Sequence, residues 1–110
     1  MGLFYKKSTK AQVVEDIHLI KGNTQYIDIL LVYCKENETL TNELVALQEK
    51  IKYLNPCDNE KVQKMDQKIK AKLEECKTLL SQSNSNDFST IAPLLREIEI
   101  LVAERNAIII

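Results

Sequence analysis

Residues 40–56 read LTNELVALQEKIKYLNP, and this stretch decides the fold. Leu40, Leu44, Leu47, Ile51 and Leu54 recur at alternating steps of four and three. At about 100° per residue, those steps return to one side of an α-helix, so the stretch predicts a helix with an apolar seam and a polar outer surface. It ends on Asn55-Pro56. A proline drives the residue before it out of the helical region, so the helix stops there. Pro56 suits the first position of a following helix, where a missing N–H costs nothing. Asn55 can cap that helix, and Asp58 suits the positive end of its dipole. The expectation is a very short turn, and therefore an antiparallel hairpin between this second helix and the third.

Toward the N-terminus, a first helical stretch runs from about Ser8 to Glu36, with Ser8 or Thr9 as its cap. Val13, Ile17, Ile20, Thr24, Ile27, Leu31 and Cys34 form its predicted inner stripe. Gly22 falls on the opposite face, so the helix is expected to run through it; the other reading ends one helix at Gly22-Asn23 and caps a new one there. From Tyr26 to Cys34 only Asp28 is polar. A strand there would lack a partner strand, so the segment reads as a helix buried on more than one side. The six residues from Cys34 to Leu40 turn the stripe by about 120°. Either the chain breaks near Asn37, with Asn37 or Thr39 as a new cap, or one long helix passes its contact face from one neighbour to another. Residues 8–54 are thus one helix or two.

Beyond Pro56, a third stretch extends to about Ser81 with Val62, Met65, Ile69, Leu73, Cys76 and Leu80 as a narrow seam. On its charged surface, Asp66 and Lys70 are spaced for an ion pair one turn apart. Residues 81–88 read as a loop, because Ser and Asn side chains there bond their own backbone. A fourth stretch begins near Ser89 or Thr90, which places Pro93 in its first turn. Ile91, Leu94, Leu95, Ile98, Leu101, Val102 and Ile108 give it a broad apolar face. The chain ends AIII, expected to be buried in the bundle or in another copy, unless it is the edge of a truncation.

The predicted fold is an all-α antiparallel helical bundle or helical hairpin, of three to four helices with coiled-coil-like packing. It is one domain over residues 1–110, with 1–7 as a frayed end that docks Leu3 or Phe4. Composition agrees. At 110 residues the chain has the length of a single domain. Two Gly and two Pro are too few for the turns of a sandwich or barrel, and no Gly-rich phosphate loop is present. Fifteen basic against 16 acidic residues leave a net charge of −1, which weakens a nucleic-acid reading from bulk charge.

Cys34, Cys57 and Cys76 are an odd, widely spaced set and read as free thiols in a reducing compartment; the expected location is the cytoplasm. A zinc site joining them to His18 lacks any Cys-x-x-Cys pair. The N-terminus carries no apolar run of signal-peptide length, and Lys6 breaks the myristoylation pattern after Gly2. The longest apolar run, residues 29–34, is far short of the ~20 residues that span a bilayer.

No catalytic, cofactor-binding or metal-ligating set emerges. His18 has Ile17, Leu19 and Ile20 as neighbours, Asp16 points elsewhere from it, and Cys34 would lie about 24 Å away along one helix. Glu74 and Glu75 diverge, and Glu97, Glu99 and Glu104 read as a solvated face. Two features remain. Lys61, Lys64, Lys68 and Lys72 form one stripe that suits phosphates or an acidic partner, although no aromatic residue is interleaved. Tyr26, Ile29, Tyr33, Ile100, Ile109 and Ile110 lie beside or off the main seams and are candidates for a partner interface. The expected function is a non-catalytic interaction or assembly module. Its partner would be a second copy of the chain or another helical protein. The alternative is a nucleic-acid-associated regulator using the lysine stripe.

Overall fold

The structure is a computed structural model that describes residues 9–82 and 88–109. Among them are four helices and no strand: α1 (Thr9–Tyr33), α2 (Glu38–Lys52), α3 (Glu60–Gln82) and α4 (Phe88–Ile109). The expectations for residues 1–7, for Ser8 as a cap, for the middle of the 81–88 loop and for Ile110 lie outside the described residues. Ser81 and Gln82 belong to α3, and Phe88 already belongs to α4.

α1 runs unbroken through Gly22. The chain then breaks between Tyr33 and Glu38, so residues 8–54 hold two helices. Asn37 is the reason. Its backbone is extended (φ −106°, ψ 99°), and its Oδ1 accepts the Leu40 N–H at 3.0 Å. That bond satisfies one of the free donors at a helix start. Thr41 Oγ1 donates to the Cys34 carbonyl at 2.8 Å, which ties the end of α1 to the first turn of α2. Further along, Gln48 Nε2 donates to the Thr24 carbonyl at 2.9 Å and to Asp28 Oδ1 at 2.7 Å. α2 therefore lies antiparallel along α1.

The predicted hairpin of the second and third helices does not form. α2 ends at Lys52 with Tyr53 as its C-cap, short of Asn55-Pro56, and α3 starts only at Glu60. Its cap is Asn59, whose Oδ1 accepts the Lys61 N–H at 2.8 Å and whose carbonyl accepts the Gln63 N–H at 3.0 Å. α1 packs on α2 and α3, and α4 packs on α3 and α2. The order around the bundle is thus α1, α2, α4, α3, and the 53–59 connection crosses a diagonal. Seven residues reach up to about 23 Å when extended, more than the ~14 Å diagonal of helices packed ~10 Å apart. A tighter turn would have forced α2 and α3 to be neighbours. Pro93 also departs from expectation: it lies in the second turn of α4, on an exposed side.

The seam of α2 is as predicted over Leu40, Leu44, Leu47 and Ile51, all buried; Leu54 is buried too, but from the connection after the helix has ended. In α1 the buried face is rotated. It consists of Asp16, Ile20, Asn23, Ile27, Leu30 and Cys34, while Ile17 is 43% exposed and Val13, Thr24 and Leu31 are half-buried. In α3, Asp66 is buried and Met65 only half-buried. In α4, Ile91, Leu95, Ile98, Val102 and Arg105 keep the four-three step, with Leu94 also buried; Leu101 is half-buried and Ile108 is exposed.

Candidate functional site

Three of the four seams carry a charged residue where the apolar pattern calls for a hydrophobe. Asp16 lies four residues before Ile20, Asp66 lies between Val62 and Ile69, and Arg105 lies three after Val102. All three are fully buried. They meet at the end of the bundle where the α2–α3 connection crosses.

Arg105 organises the layer. Its Nε donates to Asp66 Oδ1 at 2.8 Å. Its Nη2 donates to Asp16 Oδ2 at 2.8 Å, to the Asn55 carbonyl at 2.9 Å and, at 3.4 Å, to Asp66 Oδ2. Asp16 Oδ2 also accepts the Cys57 N–H at 2.7 Å. Asn23, another polar seam residue of α1, donates from Nδ2 to the Asp66 carbonyl at 3.2 Å. One side chain thus joins α1, α3, α4 and the connection. A planar guanidinium is suited to this, because its N–H groups point along a fixed fork.

Two carboxylates face one cation. Burial pushes the Asp66 carboxyl up to about 7, and its hydrogen bond with Asp16 adds to the rise; Arg105 pulls the other way. Among the described residues, two buried side-chain polar atoms have no hydrogen-bond partner: Asp16 Oδ1 and Arg105 Nη1. Most buried polar groups in folded proteins are paired, so orphans mark a place to ask what is bound.

The residues singled out from the sequence fall elsewhere. Tyr26 is half-buried against the core, with the Lys77 ammonium 6.0 Å from its ring centroid. Ile29 and Tyr33 are exposed on the outer side of α1, with Val32 between them. Ile100 is exposed on α4, beside a groove shared with α3, and is not brought together with Ile29 and Tyr33. The side chain of Ile109, like Ile110, lies outside the described residues. In the lysine stripe, Lys61, Lys64 and Lys68 are exposed, whereas Lys72 pairs with Glu97 of α4 at 3.3 Å. Asp66 does not face Lys70; it is turned inward to Arg105.

His18 is exposed and Cys34 is buried, so they make no pair. Burial raises the Cys34 thiol and pushes that of Cys76 up to about 12, which leaves both poor nucleophiles. Among the described residues, no group of three or more His, Cys, Asp or Glu is placed to hold a metal ion, and no helix is long and apolar enough to cross a membrane.

The sequence carried a signal for the charged layer. Steps of three or four from Ile20, from Val62 or Ile69, and from Val102 land on Asp16, Asp66 and Arg105. Reading the seams through apolar residues alone took Ile17 and Met65 in place of the two acids and passed over Arg105. No protein-family model matches this chain, and neither does any curated protein or solved structure.

Proposed function

We propose that this chain is a non-catalytic helical interaction and assembly module that pairs with a second copy of itself through the outer side of α1. The observation that carries this reading is the apolar trio at the C-terminal end of α1. Ile29, Val32 and Tyr33 are 42%, 64% and 39% exposed. Residues three and four apart lie on one side of a helix, so the trio forms one patch rather than scattered exposure. α2 and α3 turn mostly polar residues outward, and the exposed Ile100 and Ile108 of α4 stand eight residues apart rather than as a cluster.

A second copy is the occupant favoured by symmetry and charge. A two-fold contact is made by the same patch on both partners, so an apolar patch complements itself. The net charge of −1 sets little repulsion against such pairing. Asp28, one turn before Val32, and Lys77, over the ring of Tyr26, supply both signs, which can select register. Sedimentation velocity at micromolar concentrations tests the proposal. The wild type is expected as a dimer, and a double variant, Ile29→Asp with Val32→Asp, as a monomer with unchanged helical circular dichroism. A wild-type monomer at every concentration would sink the reading. So would nucleic-acid binding by the lysine stripe that weakens steeply with salt while the chain stays monomeric.

A further inference from the structure

We propose that the buried layer of Asp16, Asp66 and Arg105 is a proton-binding site, and that the bound proton fixes how firmly the α2–α3 connection and α4 are held against α1. The geometry comes first. Both carboxylates converge on Arg105 Nη2, at 2.8 Å from Asp16 and 3.4 Å from Asp66. All three residues are fully buried. If both acids were ionised, the layer would hold one uncompensated negative charge away from water, which is costly in a low-dielectric interior. A single proton removes it.

One of the orphaned atoms points the same way. Asp16 Oδ1 is a buried acceptor with no donor. The donors that reach Asp16 Oδ2, from Arg105 and from the Cys57 backbone, leave Oδ1 unserved. A proton on Asp66 turns an acceptor-only group into a donor, and the two carboxyls already share Arg105 Nη2. Two carboxylates that share a site hold one proton far more tightly than an isolated acid does. Asp16 from α1 and Arg105 from α4 are the charged groups that act on Asp66. The connection supplies backbone groups, the Asn55 carbonyl and the Cys57 N–H, with the Cys57 side chain half-buried nearby.

The proton's place gives it leverage. The Cys57 N–H and the Asn55 carbonyl are the anchors of the crossing connection on this layer. When the proton leaves, like charge at Asp16 and Asp66 sets the two carboxylates against each other. The shared guanidinium, itself part of α4, then holds both, with the Cys57 N–H on Asp16 alone.

The sign of the effect follows from linkage. A carboxyl that titrates near 4 when unfolded and about 7 when folded binds its proton only in the folded chain between those values. Stability from this group is complete below about pH 4, falls as pH rises toward 7, and is flat above.

The test is two measurements on the full chain. Carbon-13 labelling of aspartate gives the titration of the Asp66 carboxyl directly; a midpoint near 7, matched by the shift of the Cys57 amide, is the expected result. Urea denaturation from pH 4 to pH 9 is then compared for wild type and Asp66→Asn, whose amide mimics the protonated acid. The ratio of their folding constants is expected to fall by up to about tenfold per pH unit from about 4 to 7. A midpoint near 4, or parallel pH profiles for the two proteins, overturns the proposal. Should Asp66→Asn fail to fold, the carboxyl titration of the wild type decides alone.

Discussion

Arg105 illustrates how much one side chain can carry. It is fully buried and donates to two carboxylates and a backbone carbonyl. Replacing it with methionine keeps most of the volume but leaves Asp16 and Asp66 facing each other without a cation. Breaking a buried charge set by removing one partner typically costs about 3–5 kcal/mol, a large part of the ~5–15 kcal/mol that holds a domain folded. The loss is expected to be greater at pH 8 than at pH 5, because at the lower pH Asp66 carries its proton in the folded chain. Urea denaturation of Arg105→Met at the two values checks this; an equal loss at both would place the cost in packing instead. Arg105→Lys is a poor substitute, since a single ammonium cannot present the fork that reaches both acids.

At the scale of the elements, α1 bears a prediction about its own backbone. Gly22 lies inside an unbroken helix, exposed, with open space where a Cβ would stand. Alanine there meets nothing and removes chain entropy from the unfolded state. Gly22→Ala is expected to stabilise the protein by about 0.5–1 kcal/mol, seen as a higher melting temperature. An unchanged or lower value would mean that the glycine serves a contact made outside this chain.

The elements also show what was legible in the sequence. α2 was read almost whole because its seam is purely leucine and isoleucine and its cap is an Asn at a break in phase. The continuity of α1 through Gly22 was legible for the same reason of phase. Its buried face was not, because the chain offers two overlapping stripes. The apolar one, through Ile17, Thr24 and Leu31, loses to the one through Asp16, Asn23 and Leu30. What decides between them is the position of Arg105 eighty-nine residues away from Asp16, which no local pattern contains. The start of α3 was misplaced because Pro56 satisfies the local rules for a first helical residue. The diagonal crossing, with the Asn55 carbonyl fixed to Arg105, prevails over those rules. The charged layer, which is the candidate site, was therefore present in the seams but readable only once the helices were seen together.

At the scale of the whole molecule, the layer has a further consequence for how the bundle is specified. Seams built on steps of four and three look alike every seven residues, so one helix can slide past another by about 10 Å and still meet apolar side chains. Asp16, Asp66 and Arg105 break that equivalence, because their charges are satisfied only when α1, α3 and α4 align at one level. Replacing all three with apolar residues, as Asp16→Leu, Asp66→Leu and Arg105→Met together, removes every charge instead of stranding two. Exchanges of this kind are often neutral or stabilising by about 1–4 kcal/mol. The triple variant is expected to be more stable than Arg105→Met alone, and to lose the fall in stability between about pH 4 and 7 that Asp66 contributes. If the layer sets alignment, the triple variant will also show broadened or doubled amide resonances in α1 and α4 while its helix content is kept. Sharp, single resonances would mean that the apolar seams and the 53–59 connection align the helices by themselves. A triple variant weaker than the single one would mean that the anchoring of Asn55 and Cys57, rather than charge balance, is what the layer supplies to the fold.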